Sequence, residues 1–275
     1  MRDSGPMRRQ DDNRGSPFLA LVRTPSRTCS LRSLRRRLVI ATYNVHRWTG
    51  FNGRARPEPL KAFAVISELG ADLIALQEVL RPFHTATDPL EELSERLRFH
   101  VAFAATREHR RGQIGNAILS RWPLRSVSIL DLTLSRIEKR AAVAIRVDDG
   151  EVELDVVSTH LALSDRTRRR QVESLLIHPR LRERPTLLLG DMNAWRSSRA
   201  TRTLELDLGS HNNRKWPASF PAWRPLLALD RVYGRDVLIH DVATHRSPAA
   251  RRASDHLPVT ARVEIPLNTP HRSAQ

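Results

Sequence analysis

The segment Leu187–Trp195, read LLLGDMNAW, ends an apolar run with a carboxylate and an amide two residues apart. In an extended chain, residues i and i+2 point to the same side. Asp191 and Asn193 are therefore predicted to face one point, while Met192 faces away. Gly190 permits a sharp turn and the close approach of a substrate. The alternative interpretation is a strand that simply ends in a polar turn.

Other predicted strands also meet polar groups at their ends. The groups are Asn44 after Leu38–Tyr43, Gln77-Glu78 after Leu73–Leu76, Thr159-His160 after Val152–Ser158, and Ser254-Asp255-His256 before the last strand. Each group alone is explained by a solvated strand end, a structural histidine or a helix cap. Together they offer the oxygen ligands that suit Mg²⁺ or Mn²⁺, and imidazoles that can hold or protonate a phosphate. Cys29 is the single cysteine, so no Cys/His cluster suits zinc.

The elements that must position these groups are short apolar runs alternating with helical patterns. The predicted strands are Leu38–Tyr43, Asp72–Leu76, Ala117–Leu119, Ala141–Val147, Val152–Ser158, Thr186–Leu189, Arg231–Tyr233 and Pro258–Ile265. The predicted helices run from Pro59 to Leu69, from the Asp88-Pro89 cap through Leu97, and from Ser164 or Asp165 through Leu176.

Antiparallel hairpins are mixed with strand–helix units along the chain. Asp148-Asp149-Gly150, for example, is a hairpin turn signal between two apolar runs. This mixture predicts an α/β fold, a four-layer sandwich of two mixed β-sheets packed face to face with helices outside.

Composition sets the domain plan. The chain has 275 residues and a formal charge of +16, with ten arginines and three aspartates in the first 37 residues. Residues 1–37 lack apolar periodicity and are predicted to be a disordered basic tail. Residues 38–268 are predicted to form one catalytic domain, and residues 269–275 a short C-terminal tail. No apolar run approaches the length of a membrane span or a signal-peptide core, which predicts a soluble, cytoplasmic protein.

With these residues assembled, the chain resembles the endonuclease/exonuclease/phosphatase superfamily, which has the deoxyribonuclease I-like fold. The matching segments, in family order, are TYNVH, ADLIALQEV, GNAILSRWP, EKRAAVAI, STHLAL, LLLGDMNAW, ALDRVYG and SDHLPV. They extend from Leu38 to about Ile265. The resemblance implies a two-sheet α/β sandwich and agrees with the strand pattern.

The resemblance also implies metal-site roles for three residues. Asn44 and Glu78 match the metal end of the family site, and Asp255 matches a ligand or a residue just behind the ligands. The implied cofactor is Mg²⁺ or Mn²⁺.

Five further residues match the catalytic positions of the family. Asp191 and Asn193 match the pair that positions and activates the attacking water. His256 matches the histidine that contacts the phosphate, and Asp230 the carboxylate that orients it. His160 matches the position that contacts the phosphate or the leaving oxygen. Asn116 and Arg140 also fall in matching segments, without a definite role.

The predicted function is a divalent-metal-dependent phosphoesterase that hydrolyses a phosphodiester or phosphomonoester by in-line attack of an activated water. One alternative is a nuclease acting on DNA or RNA, and a second is a non-catalytic binder of nucleic acid or membrane. The predicted partners are a phosphoester substrate and, through the basic surface, nucleic acid or phospholipid. The oligomeric state is left open.

The first motif limits the substrate. TYNVHRWTGFNGR is unlike the corresponding motif of abasic-site endonucleases and is closer to a bacterial branch of metal-dependent hydrolases. His46 shares a side with Asn44 but is predicted to be structural and outside the metal shell. Tryptophans in loops near the motifs are predicted to anchor those loops, the alternative being contact with a base or an acyl chain. They are Trp48, Trp195, Trp216 and Trp223.

Overall fold

Two mixed β-sheets form the centre of the protein. A computed structural model describes residues 16–30, 33–84, 86–134, 138–209 and 215–266. The strands are β1 (Phe18–Arg23), β2 (Leu38–Asn44), β3 (Leu73–Pro82), β4 (His100–His109), β5 (Gly112–Ser120), β6 (Ser126–Asp131), β7 (Ala141–Asp148), β8 (Glu153–His160), β9 (Thr186–Asp191), β10 (Asp230–Arg235), β11 (Leu238–Thr244) and β12 (Val259–Glu264).

The order of strands places two parallel pairs inside otherwise antiparallel sheets. The seven-stranded sheet has the order β1-β4-β5-β3-β2-β12-β11, and the five-stranded sheet β10-β9-β8-β7-β6. The parallel pairs are β2–β3 and β8–β9. The predicted hairpin at Asp148-Asp149-Gly150 is confirmed, because β7 and β8 pair antiparallel across it.

Helices cover the outer faces of the sheets. They are α1 (Pro59–Glu68), α2 (Pro89–Leu97), α3 (Asp165–Leu176), α4 (Arg199–Leu208) and the short α5 (Ala250–Ala253), with 3₁₀ turns at His46–Trp48 and Pro179–Leu181. The three predicted helices are confirmed. Asp88 caps α2 by accepting a hydrogen bond from the Leu90 amide, and Gly70, at φ +57°, follows the end of α1.

Three apolar clusters define the layers. Side chains from both sheets, among them Ile40, Leu73, Val143 and Leu189, share the central cluster. The outer face of the larger sheet packs with α1, α2 and α5. The outer face of the smaller sheet packs with α3 and α4. The order helices, sheet, sheet, helices confirms the predicted four-layer α/β sandwich.

The predicted disordered tail is wrong for part of residues 1–37. Residues 18–23 form β1, which pairs antiparallel with β4 at the border of the larger sheet. Leu34 is fully buried in the central cluster. Partly buried Ala20 and Leu21 pack on the outer cluster, so a short apolar run without clear periodicity still finds a sheet edge. Residues 1–15 and the predicted tail 269–275 lie outside the described residues.

In the part of the chain that is described, no helix is both long and apolar enough to cross a membrane.

Candidate active site

The predicted site residues converge at one edge of the two sheets. Asn44 ends β2, and His160 and Asp191 end the parallel pair β8–β9, where they are direct register partners. Asp230 begins β10 and pairs with Asp191. Parallel strands present their carboxyl ends together, which explains why residues so distant in sequence meet here.

Asp191 lies at the centre of this cluster. Its Oδ2 is 3.2 Å from Asn44 Nδ2, 3.4 Å from His160 Nε2 and 3.7 Å from His256 Nε2. Its Oδ1 accepts a hydrogen bond of 2.9 Å from the Asn193 amide. One buried carboxylate therefore contacts groups from both sheets.

Asn193 reaches the site by a different geometry from the predicted extended segment. It adopts a left-handed conformation at φ +49°, so the chain turns directly after β9. Its side-chain Nδ2 lies 3.0 Å from His160 Nε2 and 2.9 Å from the Leu161 carbonyl oxygen. Met192 does face away, fully buried in the cluster under α3 and α4. Asp191 and Asn193 therefore share a side as expected. The reason given for it, an extended chain in which residues i and i+2 point the same way, is wrong.

His256 is held by Asp230. Its Nδ1 is 2.8 Å from Asp230 Oδ2, which also accepts a 2.5 Å hydrogen bond from the Ser219 hydroxyl. Burial opposes the charge on His256, but the carboxylates of Asp230 and Asp191 outweigh it and raise the pKa to about 10. His256 is accordingly an imidazolium at neutral pH.

His160 has the opposite character. Burial and, next, the positive charge of Arg140 lower the pKa of His160 to about 3, although Asp191 acts against this. Its Nε2 accepts a hydrogen bond from the side-chain amide of Asn193, as a neutral ring can. The site thus holds one charged and one neutral histidine against the same carboxylate.

Glu78 is presented by a β-bulge. β3 does not end at Leu76 as predicted but continues to Pro82, with a register shift against β5 between Leu76 and Val79. Glu78 lies inside this bulge at φ +52°. The bulge turns its side chain towards the site, where Oε1 is 3.4 Å from Asn44 Nδ2.

Asp255 completes the carboxylate end of the site. Ser254 donates to the Asn44 carbonyl at 2.7 Å and thereby fixes the segment before β12 beside β2. Asp255 Oδ1 is 3.3 Å from His46 Nδ1. Burial raises the pKa of Asp255, and the negative charge of Glu78 adds to this against the opposing histidines.

Two groups of side chains carry donor atoms that could bind a hard divalent cation. Asn44, Glu78 and Asp255 supply amide and carboxylate oxygens, and the mutual repulsion of the two carboxylates is what a divalent cation would relieve. Donor atoms of Asp191, Asp230 and His256 also lie within 4.8 Å of one another. In that second set, however, His256 Nδ1 and Asp230 Oδ2 already bond to each other.

Arg168 was missed in the sequence. This buried α3 residue donates from Nη1 to the carbonyl oxygens of Ala162, Leu163 and Asn193, at 3.1, 2.7 and 2.7 Å. It thus ties the loop after β8 to the loop after β9. It stands in a run of arginines, and only its place on the apolar stripe, four residues before Val172, distinguishes it.

Asn116 and Arg140 line a cavity of about 400 Å³ together with Glu78 and His160. Asn116 donates to the Ala141 carbonyl at 2.8 Å, and Arg140 Nη2 to Glu138 at 2.8 Å. Arg140 Nε is buried without a hydrogen-bond partner. The cavity therefore places the positive charge of Arg140, partly offset by Glu138, next to His160.

The tryptophans divide into two groups. Trp48 is buried and donates from Nε1 to the Leu80 carbonyl at 2.7 Å, so it anchors its loop as predicted. Trp216 packs edge-on against Tyr233. Trp195 and Trp223 are 64% and 58% exposed, and these two do not fit the anchoring prediction.

The chain is similar in sequence to a known family and to bacterial proteins. The sequence model of the Endonuclease/Exonuclease/phosphatase family matches residues 41–256. The uncharacterised protein YbhP of Escherichia coli K12 is 28% identical over 253 aligned positions, covering 82% of this chain and 96% of YbhP.

Solved structures agree in fold. The endonuclease/exonuclease/phosphatase from Bacteroides vulgatus has a TM-score of 0.68 at 17% identity and covers 84% of this chain and 100% of its own. The human Nocturnin catalytic domain, with a bound sulfate anion, has a TM-score of 0.65 at 19% identity and covers 84% of this chain and 95% of its own.

Proposed function

Since the chain belongs to the Endonuclease/Exonuclease/phosphatase family, we propose that it is a divalent-metal-dependent phosphoesterase acting by in-line attack of water. The observation that carries the proposal is the position of Asp191. Its carboxylate contacts Asn44, His160 and His256 at one point, where a water and a phosphoryl group can meet. A cluster assembled only for stability would not need a charged and a neutral histidine on one buried carboxylate.

Asp191 is assigned as the acceptor of the proton from the attacking water. Asn193 positions that water, since its amide is fixed by the Leu161 carbonyl and its backbone bonds to Asp191. A positioned base of this kind contributes about 10²–10⁴ in rate.

His256 is assigned as the cationic contact to a non-bridging phosphoryl oxygen. Asp230 holds its Nδ1, so Nε2 is free to donate into the site. Neutral His160 binds the phosphate or the leaving oxygen, and Arg107, Lys139 and Arg140 supply further positive charge that Glu138 partly offsets.

The metal end is assigned to Glu78, Asn44 and Asp255. Bound there, Mg²⁺ or Mn²⁺ would neutralise charge that develops on the phosphoryl oxygens. Their oxygen donors fit such a cation, and Cys29, remote from the cluster in sequence, is the single thiol of the chain.

A nuclease is the second candidate, and the basic character of the cavity beside His160 favours it. Lys139, Arg107 and Arg140 line that cavity together with Glu78 and Glu138, which leaves a small excess of positive charge towards a phosphate backbone. A non-catalytic binder is the weaker proposal, and the close grouping of Asn44, His160 and His256 around the Asp191 carboxylate argues against it. A cytoplasmic location stays a prediction.

The test is a metal-supplemented substrate screen. Duplex DNA, RNA, a lipid phosphodiester, inositol phosphates and a chromogenic bis-ester are incubated with Mg²⁺ or Mn²⁺, each beside the Asp191→Asn variant. Hydrolysis of at least one substrate by the parent protein and not by the variant is expected. No hydrolysis of any substrate, or equal hydrolysis by the variant, would reject the proposal.

A further inference from the structure

A second cavity, of about 310 Å³, lies beside the metal end of the candidate site. The loop after β2 forms one wall and the turn between β4 and β5 the other. Four arginines line it, and none of its lining residues in the described chain is acidic. They are Arg47, Arg54, Arg110 and Arg111.

These guanidinium groups are poorly neutralised. Arg111 donates to the Ala55 carbonyl at 3.1 Å, and the Arg47 Nε is 3.6 Å from a Glu78 oxygen. For Arg54 and Arg110, no carboxylate within ion-pair distance is found among the described residues. Four cations around a shared space, with Glu78 as the ion-pair partner found among the described residues, leave a net attraction for anions.

His109, which also lines the cavity, adds no positive charge at neutral pH. Burial and the charges of Arg107 and Arg110, then of Arg111 and Arg47, lower the pKa of this histidine. A neutral ring can instead accept a hydrogen bond, as His109 Nδ1 does from the Arg111 backbone amide at 3.2 Å. The lowered pKa of His109 is thus a second sign of the positive charge around this cavity.

Arg47 connects this cavity to the candidate site. It lies in a tight turn in which His46, Arg47 and Trp48 all have left-handed backbone angles, at φ +44°, +57° and +63°. Such a turn is unfavourable for non-glycine residues, and the buried Trp48, bonded to the Leu80 carbonyl, holds it. Gly53 lets the following loop approach, since a Cβ there would lie 2.7 Å from the Arg47 Nη2.

We propose that this arginine cavity binds a second phosphate group of the substrate, next to the phosphoester at the Asp191 centre. The inference rests on the proposed function and names its substrate class: molecules carrying at least two phosphates. Guanidinium groups suit this role because their planar donors match phosphate oxygens and stay charged at all physiological pH values. The second phosphate can belong to a small bisphosphate or to the neighbouring nucleotide of a strand, which share this chemistry.

The experiment compares affinities within matched pairs of probes, so that binding at the catalytic centre cancels. Fructose 1,6-bisphosphate is paired with fructose 6-phosphate, and tetrathymidylate with thymidine monophosphate. Titration calorimetry in EDTA, where nothing is hydrolysed, gives the ratio of dissociation constants. The parent protein is compared with Arg54→Gln/Arg110→Gln and with Arg170→Gln/Arg202→Gln, a control that removes two exposed helix charges.

We expect the parent and the control to bind one of the two multiply charged probes at least about tenfold more tightly than its partner, and the cavity variant to lose that preference. The pair that responds identifies the source of the phosphate. No preference in the parent for either pair, or a preference kept by the cavity variant, would overturn the inference. Should the double variant lose its thermal transition, Arg110→Gln alone gives the same comparison.

Failure of the proposed function reads differently. If the protein hydrolyses nothing in the substrate screen but shows the arginine-dependent preference in EDTA, the phosphate-binding role of the cavity stands and the proposed enzymatic function is rejected. Hydrolysis without any preference within the probe pairs would support the enzymatic function and reject the phosphate-binding role of the cavity.

Discussion

Two histidines in opposite protonation states meet the same carboxylate. Asp230 and Asp191 keep His256 cationic, with a pKa of about 10, whereas burial and Arg140 keep His160 neutral, with a pKa of about 3. The cationic ring of His256 can donate to a phosphoryl oxygen, whereas Nε2 of the neutral His160 ring accepts from the Asn193 side chain. The difference arises from neighbours, since both rings are buried.

Replacing the central carboxylate should remove the chemistry and spare the fold. Asp191→Asn keeps the shape of the side chain but cannot take a proton from water. We expect turnover to fall by about 10²–10⁴, which is about 3–5 kcal/mol of barrier, measured by initial rates on the best substrate of the screen.

Asp241→Asn is the matched control, because Asp241 is exposed on β11 and forms a surface ion pair with Arg262. Its rate should equal that of the parent. If Asp191→Asn lost activity only together with its thermal transition, the residue would be structural.

Metal removal should be visible without any substrate. Glu78 and Asp255 repel each other in the absence of a cation, so Mg²⁺ or Mn²⁺ far above its dissociation constant should raise the melting temperature by roughly 5–10 °C. Glu78→Gln should lose most of this shift, and EDTA should abolish hydrolysis. Full activity after exhaustive chelation would contradict metal dependence.

Residue types were readable from the sequence, but their geometry was not. The motifs placed Asp191, Asn193, His256 and Asp230 together, and the structure brings them together. The left-handed turn at Asn193 has no signature in LLLGDMNAW. Neither does the β-bulge that presents Glu78, because an extra residue in one strand is defined only by its partner strand.

At the scale of elements, α3 works as a clamp on two strand ends. The guanidinium of Arg168 bonds three carbonyls in the loops that follow β8 and β9. Arg168→Met keeps most of the apolar stem and leaves those carbonyls unpaired. We expect a loss of about 2–4 kcal/mol in the free energy of unfolding, measured by urea denaturation, and a lower kcat because Asn193 loses its support.

Arg170→Met, on the same helix but exposed, should leave both quantities within error of the parent. An equal effect of the two substitutions would show that helix charge, and not the clamp, is responsible.

The border strand β1 makes N-terminal truncation position-dependent. A chain starting at residue 16 keeps β1 and Leu34, whereas one starting at residue 38 loses both and exposes the edge of β4. We expect the longer deletion to lower the melting temperature by roughly 5–15 °C and to promote aggregation. Equal melting temperatures for the two truncations, measured by calorimetry, would show that β1 contributes nothing.

Periodicity located some elements and missed others for physical reasons. The strand β4 is buried on both faces over its first seven residues, so it has no alternation to detect. The strand β6 borders its sheet, is half-buried over its first five residues and ends at the exposed Asp131. Helix α4 begins with a capping box of Ser198 and Thr201, but Thr201 stands where the usual sequence signature has Glu or Gln, so that signature does not mark the start of this helix.

At the scale of the whole molecule, the formal charge of +16 predicts a sequence-independent affinity for polyanions. Binding to two duplexes of unrelated sequence, followed by fluorescence anisotropy, should be equal and should weaken steeply with added salt. An abasic duplex should be cut no faster than an intact plasmid. Strong discrimination between the duplexes, or preferred cleavage at the abasic site, would contradict this.

The position of β12 also has a consequence for biosynthesis. This strand is inserted between β2 and β11, and Asp255 and His256 directly precede it. A nascent chain on the ribosome can form early hairpins such as β4–β5, but it has neither of these two side chains until residue 256 has been added. The proposed phosphate contact and one proposed metal-binding carboxylate are thus the last of the candidate site residues to be synthesised, so a chain that ends before them lacks part of the candidate site.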